Sequence, residues 1–125
     1  MIPYFTDIRL KGSNISTDGY VEILYNDTWG TICTEKFDIK DASVICRMLG
    51  YQGALAAVTK GIFGQGKGPT WLGDVCCHGD EKSILECPHE KIGSQDCDHN
   101  GDVGVVCNET EQTSPRGKTL SLLPG

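Results

Sequence analysis

Cysteine and histidine recur at a fixed spacing in CCHGDEKSILECPHEKIGSQDCDH, the stretch from Cys76 to His99. A histidine follows two residues after each of Cys76, Cys87 and Cys97, and these are all three histidines of the chain. Thiolate and imidazole groups bind zinc, whereas thiols in an oxidising compartment pair as disulfides. Zinc sites usually contain C-x(2-4)-C or H-x(3-5)-H pairs, which a C-x-H repeat does not provide. The spacing therefore favours disulfides, with the histidines exposed or hydrogen-bonded to loop backbone.

The composition is that of one globular domain. The chain has 125 residues, of which 38% are hydrophobic and 16 are glycine, a mixture that suits a small core with many tight turns. The formal net charge is -6 and the 11 Lys and Arg residues are scattered, so nucleic acid is not an expected partner. No apolar run approaches the roughly 20 residues that cross a bilayer. We therefore expect no direct membrane insertion of this fragment.

Two features indicate an extracellular protein. Three of the four asparagines, Asn14, Asn26 and Asn108, begin N-x-S/T sequons, which favours glycosylation and hence secretion. Seven cysteines in so short a chain match the density of secreted domains. The opening MIPYFTDIRL lacks the basic start and apolar core of a signal peptide. We therefore expect a fragment of a longer secreted protein or of a receptor ectodomain.

Strands and turns dominate the first third of the chain. Ile8–Leu10 alternates apolar and charged residues, and Tyr20–Tyr25 and Thr28–Cys33 flank Asn26-Asp27, two residue types that tolerate positive φ. This pattern predicts a β-hairpin whose turn carries a sequon, with the aromatic side chains in core or cross-strand packing.

The segment DIKDASVICRMLG, from Asp38 to Gly50, has the signature of an amphipathic helix. Asp38 can cap its first turn, and the Asp41 carboxylate complements the helix dipole. The apolar residues recur at helical spacing before a glycine that can end the helix: Ala42, Ile45, Cys46 and Leu49. Cys46 is therefore expected to face the core, and Arg47, just off that face, to be solvated or to lie along the surface.

The glycine-rich segment GIFGQGKGPTWLGDVCC could suggest a phosphate-binding loop. Such a loop needs a helix after it, and here Pro69 and the β-favouring WLGDV follow, so the glycines are better explained as turns before a buried strand. Further along, Ser83–Glu86 can form a short helix and Val103–Cys107 a last buried strand. The residues from Asn108 onward are polar and contain proline, as in a linker or a disordered tail.

Four segments in order, VEILYNDTWGTIC, ASVICRMLGY, FGQGKGPTWLGDVCCHGDEKSILEC and CDHNGDVGVVC, resemble the scavenger receptor cysteine-rich domain. Tyr51, a non-cysteine after the helix-ending L-G, is typical of the six-cysteine group, group A. The resemblance implies an α+β fold in which a curved antiparallel β-sheet cradles one main α-helix. It divides the chain into a lead-in (1–7), the domain (8–107) and a linker or disordered tail (108–125).

The resemblance also implies the disulfide pairing. It joins the six family cysteines as Cys33 with Cys97, Cys46 with Cys107, and Cys77 with Cys87. Cys76 is left over, because it stands where a variable or hydrophobic residue is expected. A free buried thiol is the preferred interpretation of Cys76, followed by pairing with another chain and then by a strained bond to Cys77.

The function that the resemblance implies is recognition without catalysis. No nucleophile with a suitable base and no cofactor fingerprint is apparent. Expected ligands are extracellular proteins or polyanionic and microbial surfaces, bound by a scavenger-type receptor or a secreted defence protein. The alternative is an accessory interaction domain of a secreted multidomain enzyme, such as a serine protease or a lysyl oxidase-like protein.

Calcium is the one cofactor that the resemblance suggests. Several relatives bind it through acidic residues, whose counterparts here are Glu35, Asp74 and Asp102. Thr34 and Gly101 stand where relatives often have an aspartate and a glutamate. Because calcium takes 6–8 oxygen ligands, including several carboxylates, the resemblance implies a weak site at best.

Overall fold

The computed structural model describes residues 5–33, 36–93, 99 and 101–109. The regular elements within these ranges are strands β1 (Phe5–Lys11), β2 (Asp18–Tyr25), β3 (Thr28–Ile32), β4 (Gly53–Val58), β5 (Thr70–Leu72) and β6 (Gly104–Asn108), helix α1 (Ile39–Met48) and a short 3-10 helix (Ile84–Glu86). None of the helices in this part of the chain is long and apolar enough to cross a membrane. The predicted tail beyond Glu109 lies outside the described residues.

The strands form one sheet with β2 at its centre. The order is β4-β6-β2-β3-β5, and β1 also pairs with β2. Most neighbours are antiparallel, but β3 and β5 are parallel, because the chain between them crosses over through α1 and β4. The predicted α+β class with one main helix is confirmed, and the sheet is mixed rather than wholly antiparallel.

The predicted hairpin is present. Tyr25 pairs with Thr28, and Asn26 and Asp27 between them have φ values of 54° and 64°, as a two-residue turn with positive φ at both central positions requires. The first strand is longer than expected, because β1 starts at Phe5 rather than at Ile8. The last residues of the predicted lead-in therefore belong to the sheet.

The predicted helix also forms, with a complete capping box. The Asp38 carboxylate accepts the backbone N–H groups of Lys40 and Asp41 at 3.0 and 3.1 Å, and the Asp41 carboxylate accepts the Asp38 N–H at 2.9 Å. Gly50, with φ of 97°, follows the last turn. The helix packs its apolar side on β4 and β6, so it covers one end of the sheet.

Strand β4 (GALAAV) has no counterpart among the sequence predictions. Its small residues have weak strand preference and do not alternate, so the segment carries no local strand signal. It becomes a strand through pairing with β6, from Gly53 opposite Asn108 to Val58 opposite Gly104.

The core lies between the sheet and the helix. Its fully buried side chains come from the strands, the helix, the 3-10 helix and the connecting segments. The largest apolar ones are Val21, Ile23, Ile32, Val44, Ile45, Leu72, Val75, Ile84, Val103 and Val105. Two disulfides between described residues belong to the core. One joins Cys46 of α1 to Cys107 of β6, with 5.5 Å between the Cα atoms, and the other joins Cys77 to Cys87, with 4.7 Å.

Cys33 is also disulfide-bonded. Cys97 lies outside the described residues, so the pairing of Cys33 with Cys97 stays a prediction.

Candidate functional site

The topology brings the predicted acidic residues towards one edge of the sheet. Because β3 and β5 are parallel, their carboxyl ends meet at the same edge. Asp74 follows β5 at that end, and Asp102 forms an isolated antiparallel bridge with Cys33 just beyond β3. Glu35 lies outside the described residues. The strand order therefore places Asp74 and Asp102 near the carboxyl ends of β5 and β3.

The Asp102 carboxylate, however, is turned into the protein. The residue is 1% exposed. Its Oδ1 accepts the hydroxyl of Thr31 at 2.8 Å, and its Oδ2 accepts the backbone N–H of Gly66 at 2.8 Å. The ring of His99 lies beside both oxygens, with Nδ1 2.8 Å from Oδ2. Internal donors therefore surround both oxygens of Asp102.

Calcium does not fit these described residues as the resemblance suggested. The ion needs carboxylate oxygens that are free to point at it, together with further oxygen ligands. Asp102 has committed both oxygens to internal partners and Gly101 supplies no carboxylate, so exposed Asp74 is the one predicted acidic ligand among the described residues that is left to face an ion. Asp102 is a buried structural carboxylate in this chain.

A second cluster of polar contacts holds the loop from Cys77 to Glu81 on the helix. The Asp41 carboxylate accepts the Cys77 N–H at 2.8 Å, next to the Cys77–Cys87 disulfide. At the other end of α1, the Arg47 guanidinium donates to the backbone carbonyls of Gly79 at 2.5 Å and Glu81 at 3.2 Å. Arg47 was expected to be solvated or to lie along the surface, and it is half-buried; its hydrogen bonds to the backbone carbonyls of this loop were not predicted.

The same loop is closed by its own carboxylate. Glu81 accepts the consecutive N–H groups of His78 and Gly79, each at 2.9 Å. These two donors stabilise the ionised form and lower the pKa of Glu81 to about 2. Asp41 behaves in the opposite way, since burial raises its pKa to about 6 despite the N–H donors around it.

The histidines do not form a zinc site in the described part of the chain. The His78 side chain is 87% exposed, and the His89 ring contacts the adjacent Glu90 carbonyl, as expected for loop histidines. The sulfur atoms of Cys77 and Cys87 lie near the Glu81 carboxylate, but they are bonded to each other and are not free to ligate a metal. His99 differs, because its ring is largely buried against Asp102.

Thr31, His99 and Asp102 contain the residue types of a catalytic triad, but their arrangement excludes that role. A triad needs the acid on one imidazole nitrogen and the nucleophile on the other. Here the Thr31 hydroxyl and the Asp102 carboxylate both face Nδ1 of His99, at 3.3 and 2.8 Å. Thr31 is also fully buried. The cluster is structural.

Aromatic side chains of the β2–β3 hairpin contact Arg9 of β1 and Trp71 of β5. The Arg9 guanidinium stacks 3.8 Å from the Trp29 ring centroid and pairs with Glu22 at 2.7 Å. Tyr25 and Trp71 meet edge to face, with centroids 5.0 Å apart. Tyr25 and Trp29 were predicted to take part in cross-strand or core packing, and these contacts agree with that prediction. The contacts of Arg9 could not be predicted, because no local pattern in the sequence indicates them.

Cys76 is a free thiol, but it is exposed rather than buried. Its neighbours Val75 and Cys77 are 1% and 6% exposed. Side chains alternate between the two sides of an extended chain, so burial of both neighbours directs Cys76 outward. The expectation of a buried thiol is therefore wrong.

We expect native protein to react with one equivalent of a maleimide reagent at Cys76. The thiol is exposed and the family cysteines are expected to be bonded. Mass spectrometry of the unreduced chain should show a single adduct, and a Cys76→Ser variant should show none. Labelling that survives in the variant, or native protein that stays unlabelled, would contradict this assignment.

Comparison with known proteins identifies the family. The sequence model of the scavenger receptor cysteine-rich domain matches residues 11–108. The chain is 45% identical over 101 residues to lysyl oxidase homolog 3A of Danio rerio, which covers 81% of this chain and 14% of that protein. It is 45% identical over 100 residues to macrophage scavenger receptor types I and II of Mus musculus, covering 80% of this chain and 22% of that protein.

Solved structures agree in fold and in sequence. The third scavenger receptor cysteine-rich domain of murine neurotrypsin superposes with a TM-score of 0.76 at 42% identity, over 86% of this chain and all of that domain. The dimeric form of the corresponding domain of mouse MARCO gives a TM-score of 0.68 at 43% identity, over 73% of this chain and 86% of that chain. The chain belongs to the scavenger receptor cysteine-rich family.

Proposed function

We propose that this domain is a non-catalytic recognition module that acts outside the cell as part of a longer protein. Scavenger receptor cysteine-rich domains are generally non-catalytic modules, and in the homologues they are extracellular. The chain spans only 14% of the length of the lysyl oxidase homologue and 22% of the macrophage receptor. The observation that carries the proposal is the family match over residues 11–108, combined with a disulfide-bonded core that leaves the loops at the surface.

A protein ligand is favoured over a polyanion. The chain has a net charge of -6, which repels anionic surfaces. Within the described residues, both arginines are committed to internal partners: Arg9 to Glu22 and Trp29, and Arg47 to loop carbonyls. Arginine is the side chain best suited to grip sulfate or phosphate groups. Extracellular proteins are therefore the proposed ligand class, and polyanions the less favoured one.

The sequons support the extracellular setting. Asn14 and Asn26 are exposed in the connections at the two ends of β2, and Asn108 closes β6. We propose that the chain is a glycoprotein, which peptide mapping before and after glycosidase treatment would establish.

Recognition is best tested with domain secreted from mammalian cells. Biotinylated domain is applied to intact cells and conditioned medium, with proximity labelling of bound proteins and competition by unlabelled domain. In parallel, immobilised heparin and dextran sulfate are probed at about 0.05 and 0.15 M salt. Competable labelling of an extracellular protein, without polyanion binding, is expected. Salt-sensitive binding to dextran sulfate would favour the polyanion class, and labelling that is never competed would count against recognition.

A second candidate function is that of an accessory domain in a secreted enzyme. Its support is the 45% identity to a lysyl oxidase homologue, in which the match occupies 14% of the protein. Deletion of the domain from its full-length protein separates the two functions. An accessory role predicts unchanged turnover of a small substrate and reduced turnover of a macromolecular one.

A further inference from the structure

We propose that the first sugar of a glycan on Asn26 packs against the ring of Tyr25, so that glycosylation of this turn stabilises the β2–β3 hairpin. The inference rests on the proposal that the chain is a glycoprotein, and it gives one of the glycans a structural role. The geometry of the turn, which sets Tyr25 opposite Thr28 on either side of Asn26 and Asp27, carries it.

The turn brings the sequon and an aromatic ring to the same end of the sheet. Tyr25 and Thr28 are the last pair of β2 and β3, and Asn26 and Asp27 connect them with φ values of 54° and 64°. Residues directly opposite each other in an antiparallel pair extend their side chains on the same face, with Cβ atoms about 5 Å apart. The Tyr25 ring is therefore next to Thr28, the residue that completes the sequon of Asn26.

This pair lies where the apolar core has ended. Tyr25 continues the face of β2 that carries buried Ile23, but Tyr25 itself is only half-buried, and Asn26 and Thr28 are exposed. The Tyr25 ring meets Trp71 edge to face, with centroids 5.0 Å apart and planes at 62°. In such a contact a ring offers its edge or one of its two faces. Trp71 therefore leaves at least one face of Tyr25 uncovered.

Trp71 also holds the Tyr25 ring in place. Its indole N–H donates to the backbone carbonyl of Thr28 at 2.9 Å. Its ring lies against Gly30, where an added Cβ would come within 2.6 Å of Cδ1. Trp71 is thus fixed at two points of β3 and supports Tyr25 from one side. A ring that is already held loses little conformational entropy when another group packs on it.

A pyranose ring is suited to the uncovered face. Its C–H groups form an apolar side, while its hydroxyl groups lie around the rim and stay in water. The face of an aromatic ring carries negative charge density that attracts C–H hydrogens, and the contact removes apolar area from water. The first N-acetylglucosamine is bonded directly to the Asn26 side-chain nitrogen. It is therefore held beside Tyr25 without the entropy cost of bringing two molecules together.

The sequon of Asn14 provides a control within the same chain. Asn14 is exposed like Asn26, but its neighbours Ser13 and Ile15 are not aromatic. Tyr51 reaches this loop with its hydroxyl, which donates to the backbone carbonyl of Ser16 at 3.4 Å. A glycan on Asn14 is therefore expected to have no stabilising ring contact.

Thermal unfolding of domain secreted from mammalian cells measures the effect. Thr28→Val removes the sequon but keeps Asn26 in the turn and a β-branched residue on β3, and it should lower the melting temperature by about 4 °C or more. Ser16→Ala, which removes the sequon of Asn14, should leave the melting temperature unchanged. In protein that already carries Tyr25→Leu, Thr28→Val should have little further effect, because the ring is gone.

The contact itself is measured without any variant. High-mannose protein is trimmed with endoglycosidase H to a single N-acetylglucosamine at each site, which should keep the native melting temperature. NMR spectra of this protein should show nuclear Overhauser effects between the Tyr25 ring protons and the C–H protons of the sugar on Asn26.

Mass spectrometry of the native glycopeptides separates the two ways in which the inference can fail. An unoccupied Asn26 would overturn the glycoprotein proposal at this site together with the inference. An occupied Asn26 without sugar-to-ring contacts would overturn the inference alone. So would a loss from Thr28→Val that is equally large with and without Tyr25→Leu.

Discussion

Replacing Cys46 and Cys107 together by alanine is expected to lower the free energy of unfolding by about 4 kcal/mol. The bond closes a loop of 61 residues, and the entropy that such a cross-link removes from the unfolded chain grows with loop length. It also joins the helix to β6, one of the two strands on which the helix packs. A loss of about 4 kcal/mol is comparable to the whole stability of many small domains, so the variant should be partly unfolded at 37 °C.

The matched control is the other described disulfide. Cys77 and Cys87 close a loop of only 10 residues, so their double alanine variant is expected to lose about 3 kcal/mol. Urea unfolding at pH 7 compares the two variants, with Cys76→Ser as a third that should match the native protein. Equal losses for the two pairs, or a larger loss for the short loop, would show that loop length does not decide their contributions.

Replacing Asp41 by alanine is expected to lower the free energy of unfolding by about 2–3 kcal/mol at pH 5. The substitution leaves the Cys77 N–H without its acceptor in the interior and removes half of the capping box from Asp38. Because Asp41 is 1% exposed, water cannot replace these bonds. The control Asp38→Ala removes the cap at an exposed residue and keeps the Cys77 bond, so it should lose only about 1 kcal/mol.

The loss should depend on pH in a direction set by the raised pKa of Asp41. Burial raises this pKa from 3.8 to about 6, so the folded protein binds the proton more tightly than the unfolded chain does. The stability that Asp41 contributes is complete below its unfolded pKa and is lost as pH rises through about 6, a change of roughly 3 kcal/mol.

Unfolding of native protein and Asp41→Ala should be compared between pH 4.5 and 7. In that range the Glu81 contribution stays constant, because its pKa is lowered to about 2 and its stabilising effect disappears only at lower pH. The difference between the two proteins should shrink as pH rises. A constant or growing difference would contradict the assigned direction of the Asp41 pKa.

Local patterns in the sequence predict the local elements of the fold. Asn26-Asp27 between two alternating runs predicts the hairpin, and the helix has both its caps and its apolar spacing within one short segment. Strand β4 shows the limit of this reasoning. GALAAV has no alternation and weak strand preference, so only its pairing with β6, about fifty residues later, makes it a strand.

The candidate site was predictable in composition but not in contacts. The resemblance points to Asp74 and Asp102, and the strand order brings them towards one edge. The resemblance does not show that the Asp102 side chain faces inward, because its hydrogen-bond partners Thr31 and Gly66 are 71 and 36 residues away in the chain. Arg47 is a similar case, because its partners in the Gly79–Glu81 segment lie more than thirty residues away.

The central position of β2 has a consequence for synthesis. Residues 18–20 of this early strand pair with residues 104–106 of the last one, so the sheet cannot be completed until nearly the whole domain has left the ribosome. Asn14 and Asn26 lie in the part of the chain that is synthesised before β6 can pair with β2. The sugar transfer proposed for these two asparagines would therefore precede completion of the sheet.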